Sequence, residues 1–124
     1  MHRSNRLTSF KYAFSGICHV VRTQPNARIH LAIACVVVVL GIWLGLSLTE
    51  WAIITLAIGL VLVAEAFNTV AEALVDLATA EYHPLAKIAK DASAGAVLLM
   101  AVAAVVVGVL ILGPPLWRAL LAML

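Results

Sequence analysis

From Trp51 to Ala80 the chain has no proline, and its one glycine is Gly59, so nothing interrupts a helix across the whole stretch. Its first half, to Ala64, carries no charge. It then passes directly into Glu65-Ala-Phe-Asn68-Thr-Val-Ala-Glu72-Ala-Leu-Val-Asp76. At about 100° per residue, Asn68, Glu72 and Asp76 lie about −60°, −20° and +20° from Glu65, which places all four on one face about 80° wide. An ionisable group inside or beside a bilayer span costs about 2.5–3.5 kcal/mol on insertion scales and marks a functional position by default. A helix starting at Trp51 reaches Glu65 after about 21 Å and Glu72 after about 31 Å. Glu65 is therefore expected inside the leaflet and Glu72 at its water boundary.

Composition agrees with a bilayer environment. The 124 residues are 65% hydrophobic and 11% charged, against about 45–50% and about 25% for soluble domains. The expected fold is an all-α membrane protein, a single domain over 1–124, with an amphipathic surface helix at 7–23 and three transmembrane helices. Leu7, Phe10, Phe14, Ile17, Cys18 and Val21 recur at helical spacing, and Lys11, Ser15, His19 and Arg22 fall largely away from them. That pattern suits a helix lying in the interface. Gln24-Pro25-Asn26 breaks it, and 29–48 is the first span, with Gly41 and Gly45 spaced for close helix approach. The second span, 51–80, extends into the aqueous side. Glu81-Tyr82-His83-Pro84 signals a turn, with Pro84 at the first position of a third helix, 84–112. Gly113-Pro114-Pro115 is expected to stop that helix, leaving 113–124 as a short apolar tail. Cys18 and Cys35 read as small packing residues, not as a disulfide.

Orientation follows from charge. Of the eight basic residues, Arg3, Arg6, Lys11, Arg22 and Arg28 precede the first span, Lys87 and Lys90 lie between the second and third, and Arg118 stands alone on the other side. The bias puts the N-terminus in the cytoplasm. Glu72, Asp76, Lys87, Lys90 and Asp91 then face the compartment that holds ATP and Mg²⁺.

An acid at lipid depth beside an acid at the water boundary suits a reaction that joins a membrane-dissolved substrate to a soluble one. Glu65 can accept a proton from a lipid alcohol, and Glu72 can hold Mg²⁺, which binds through one or two carboxylates together with substrate phosphates. Asn68 lies between them. Lys87, Lys90 and Asp91 lie at about 0°, −60° and +40° on the third helix, a face suited to phosphates and a nucleotide. No phosphate-binding loop or protein-kinase signature is present, so helix faces would hold the nucleotide. Read alone, Asp76 and Glu81 are as readily solvated helix-end charges, His83 is a turn or cap residue, and His19 and His30 stand at no metal-ligand spacing. A single buried glutamate is often the proton site of a transporter, but four aligned polar residues argue less for that, and a small proton-coupled transporter using Glu65 is the alternative reading.

The stripe, the segment Glu81-Tyr82-His83-Pro84-Leu85-Ala86-Lys87-Ile88-Ala89-Lys90-Asp91, and the order of one amphipathic helix before three spans together resemble a known family. It is that of the small prokaryotic integral membrane lipid kinases, comprising diacylglycerol kinase and undecaprenol kinase, and the resemblance extends to about Leu112. It implies a homotrimer in the bacterial plasma membrane, with sites between protomers at the cytoplasmic face. It further implies phosphoryl transfer from MgATP to a lipid hydroxyl, with no nucleic-acid partner. By that resemblance Glu65 is the catalytic base, Glu72 the magnesium ligand, and Asn68, Lys90 and Asp91 nucleotide or active-site contacts. The second segment is more similar to the undecaprenol kinase branch. Where many members carry a glutamate at the end of the N-terminal helix, this chain has Gln24, whose carbonyl can ligate Mg²⁺ without adding charge. The number of metal ions stays open on that account.

Overall fold

The computed structural model describes residues 6–124, so Arg3 of the charge count lies outside the described residues. Four helices follow one another: α1 (Arg6–Thr23), α2 (Pro25–Leu44), α3 (Leu48–Ala78) and α4 (Pro84–Leu121). The last three are long and apolar enough to cross a membrane. The protein is all-helical, with α3 packed most extensively on α4.

Pro25 starts α2 instead of merely breaking the pattern before it. A proline at the first helical position loses only an N–H that the helix would leave unbonded anyway. Gln24 is the N-cap in extended conformation, and its side chain makes no capping bond. The helix therefore begins four residues before Ile29, and the Gln24 amide is free to reach elsewhere. At the other end Gly45 takes the left-handed conformation (φ 68°), and Leu46 N–H donates to the Gly41 carbonyl at 3.1 Å. This closes α2 before Leu48.

The two glycines read as a spaced pair do separate jobs. Gly45 supplies the positive φ. Gly41 is buried, and a Cβ there would stand 2.8 Å from Trp51 Cη2 and 2.9 Å from Leu46 Cδ1, so the missing side chain lets α3 turn back tightly on α2. The hairpin is locked by a capping box in which Ser47 N–H donates to Glu50 Oε2 at 2.7 Å and Glu50 N–H donates to Ser47 Oγ at 3.3 Å.

With 31 residues α3 is about 46 Å long, well beyond a hydrocarbon core of about 30 Å. The helix is thus longer than a crossing needs, and the acidic stripe occupies its C-terminal half. A short connection leads to His83, the N-cap of α4, whose Nδ1 accepts from Leu85 N–H at 3.2 Å ahead of Pro84.

The expected stop at Gly113-Pro114-Pro115 is corrected: α4 continues through both prolines to Leu121. Their ring-fixed φ is compatible with a helix, although each removes a backbone donor and crowds the carbonyl four residues back. Spans tolerate such residues where the freed carbonyls are otherwise satisfied.

The buried apolar set is small, consisting of Ala27, Ile54, Val61, Val97 and Leu112, and the buried polar residues are Glu65 and Asn68. Most of the large hydrophobic side chains on all four helices are exposed, as lipid-facing surface requires. Cys18 and Cys35 are free thiols, the second of them exposed.

Candidate active site

The stripe on α3 descends in burial in the order that its helical spacing predicts. Glu65 is 1% exposed and Asn68 8%, Glu72 is half-buried, and the Asp76 side chain is 67% exposed. One helix face therefore runs from the interior of the bundle to its surface, carrying three carboxylates and one amide.

Glu72 lies at the centre of a hydrogen-bonded cluster drawn from three chain segments. Its Oε2 accepts from Gln24 Nε2 at 3.1 Å, and its Oε1 accepts from Asn68 Nδ2 at 3.2 Å. The Gln24 side chain can do this because the N-cap position leaves it uncommitted. Asn68 Oδ1 in turn accepts from Ser93 Oγ at 2.7 Å, and the same hydroxyl lies 2.9 Å from the Lys90 carbonyl. Ser93 thereby couples the first turns of α4 to the carboxylate through one amide. At the outer edge Lys90 Nζ donates to Asp76 Oδ1 at 2.6 Å, while Lys87 and Asp91 pair along one turn of α4. Both members of the latter pair are exposed, so it adds little to stability. Beside them is an open hollow of about 440 Å³ whose wall includes Asp76, Tyr82, His83, Lys87, Lys90 and Asp91.

Glu65 has different company. Its Oε1 is buried and makes no hydrogen bond, and the nearest basic atom is His30 Nε2 of α2 at 3.2 Å, off the line that an N–H···O bond needs. Thr69 Oγ1 donates to the Glu65 main-chain carbonyl at 3.0 Å and so does not serve the carboxylate. His30 also lines a second hollow, a groove of about 450 Å³ between α2, α3 and α4 whose other walls are hydrocarbon or glycine.

The structure thus places Gln24, Asn68 and Glu72 in one cluster, Asp76 and Lys90 in contact, and Lys87 against Asp91. Glu65 stands deeper, on the same helix. Two participants escaped the sequence reading. Ser93 lies one turn beyond Lys90 on the same face of α4, and extending that face by a turn would have found it. His30 is the one basic side chain in the first apolar run, which was the available signal.

The donor set at Glu72 fits a divalent cation of the magnesium type. Among the described residues no three His, Cys, Asp or Glu side chains converge, which argues against an all-protein cage. Magnesium does not need one, since it keeps waters and takes substrate phosphates beside one or two carboxylates. Glu72 offers the carboxylate, and Gln24 and Asn68 each carry an amide oxygen that a half-turn of the amide would bring toward it.

These features define a membrane-embedded helical protein with a polar site on the C-terminal half of its second long apolar helix. Residues 11–112 match the family model described as prokaryotic diacylglycerol kinase, and the chain belongs to that family. It is 47% identical over 108 residues to the undecaprenol kinase of Bacillus subtilis, covering 87% of this chain and 88% of that one. It is 46% identical over 113 residues to a diacylglycerol kinase of Synechocystis, covering 90% of this chain and 65% of that one. A Helicobacter pylori diacylglycerol kinase is 39% identical over 69 residues, 56% of this chain and 52% of that protein. The chain is accordingly a membrane lipid kinase with ATP as phosphate donor, and the transporter reading has no support.

Proposed function

We propose that the protein transfers the γ-phosphoryl group of MgATP to the hydroxyl of a membrane lipid alcohol, with undecaprenol favoured over diacylglycerol. The carrying observation is the pairing along one face of α3 of a buried carboxylate, one of whose oxygens makes no hydrogen bond, with an amide-flanked carboxylate that is less buried. The fuller coverage of the relative named undecaprenol kinase supports the lipid preference.

In this reading Glu65 acts as general base. It takes the proton of the lipid hydroxyl as that oxygen bonds to the γ-phosphorus, the bond from the γ-phosphorus to the bridging oxygen breaks, and ADP departs. Catalysis of such a transfer is chiefly positioning and charge stabilisation. Glu72, with the amides of Gln24 and Asn68, would hold Mg²⁺, which when bound offsets the charge of the β- and γ-phosphates. Lys87 and Lys90 supply positive charge to the nucleotide, Asp91 and Asn68 position it, and Asp76 holds Lys90 in place. The site faces the cytoplasm, as the seven-to-one division of basic residues supports. On the same reading α1 lies in the interface and the active assembly is a homotrimer with sites between protomers.

The test is incubation of the purified protein with γ-labelled ATP, Mg²⁺ and separate lipid alcohols. Label entering the lipid phase is expected, with more on undecaprenol than on diacylglycerol. Failure to label any lipid alcohol would refute the reaction, and faster labelling of diacylglycerol would reverse the substrate order.

A further inference from the structure

We propose that His30 is a positioning residue for phosphoryl transfer: its imidazole holds one oxygen of Glu65, so that the other is presented to the lipid hydroxyl arriving from the apolar groove. This rests on the reading of Glu65 as the base.

A carboxylate that is 1% exposed has lost almost all its contact with water and needs a polar partner to hold one orientation. Thr69 is occupied with the main chain, and Asn68 is turned toward Glu72 and Ser93. The group within reach of Glu65 Oε1 is His30 Nε2, at 3.2 Å, and a small rotation of the ring would bring its N–H into line. An imidazole suits this task better than lysine or arginine. It supplies a directed donor without a fixed charge, and a permanent cation in this dry setting would hold the carboxylate as a tight ion pair and weaken it as a proton acceptor.

Position supports the same role. His30 is the polar side chain in the wall of the groove, whose other lining, including Ile33, Ala34, Val61 and Leu62, is hydrocarbon. A lipid chain packed there would bring its hydroxyl end to the one place where the wall turns polar, and that place is in contact with Glu65. His30 therefore belongs both to the lipid's path and to the base.

The test compares the parent with His30→Ala, His30→Gln and Glu65→Gln, all purified in one detergent, for kcat, for KM toward ATP and undecaprenol, and for thermal melting. His30→Ala is expected to lose about tenfold to hundredfold in kcat, the scale of a misplaced catalytic group, with KM for ATP and the melting temperature unchanged. His30→Gln, whose amide N–H can reach the same carboxylate, is expected to recover most of that loss. Full kcat in His30→Ala beside an inactive Glu65→Gln would overturn the role of His30 and leave Glu65 as base. A lowered melting temperature in His30→Ala together with no recovery by His30→Gln would also overturn it, by making the residue structural. Full turnover in Glu65→Gln would instead remove the base, and this inference with it.

Discussion

The two ends of α3 satisfy their polar groups in opposite ways. At its start the Ser47 and Glu50 side chains each accept from the other's main-chain N–H, three residues apart, and the neighbouring Trp51 ring closes over Gly41. At its far end Glu72 depends on Gln24, 48 residues away, Asn68 on Ser93, 25 away, and Asp76 on Lys90, 14 away. Glu65, between the two ends, has an oxygen with no hydrogen bond. The first end is a local lock that stabilises a hairpin. The second is held in place by other helices, and its partners can rearrange when a substrate arrives. A group left unsatisfied in the interior costs stability, so the contrast places stability at one end and chemistry at the other.

Substitutions at the two ends should therefore fail in different assays. The largest effect is expected from Glu65→Gln, with turnover reduced about 10²–10⁴-fold, the usual contribution of a general base. Its thermal stability should be equal to or above that of the parent, because a buried carboxylate is replaced by a neutral amide. A near-parental rate would remove Glu65 as base. Glu72→Gln should next raise the Mg²⁺ concentration needed for half-maximal activity by about tenfold or more, since it deletes the one unit charge in the donor set. An unchanged Mg²⁺ titration would place the metal elsewhere.

At the hairpin the readout moves from rate to stability. Gly41→Ala should destabilise by about 1–3 kcal/mol in detergent unfolding, as overpacking against Trp51 and Leu46 demands, with Mg²⁺ dependence unchanged below the melting transition. Ser47→Ala should cost about 1 kcal/mol through the lost cap. If either hairpin variant shifted the Mg²⁺ titration, the two ends would not be separable, and the contrast would fail.

Much of the architecture could be read from local pattern. Hydropathy placed three spans, and the 3.6-residue period placed Glu65, Asn68, Glu72 and Asp76 on one face in an order that their burial follows. Helix ends were less visible. Pro25 and Pro114 look alike in a sequence, yet one begins a helix and the other lies inside one. Proline is compatible with helical φ at either place, and neighbouring packing decides whether the helix continues. Gln24 entered the sequence reading as a departure from a family pattern. The structure gives it a bond to Glu72, which the N-cap geometry permits.

Composition, periodicity and charge asymmetry are properties of the chain read along itself. They sufficed for an all-helical membrane protein, for the order in which its acids are buried and, through motif resemblance, for its family. Pairings between helices depend on how rigid rods come to lie against one another, and no local pattern contains that information. Only the tertiary structure decided that His30 meets Glu65 and that Ser93 reaches Asn68. It also decided that the acidic stripe divides into a hydrogen-bonded cradle around Glu72 and a deeper carboxylate oxygen left without a hydrogen bond.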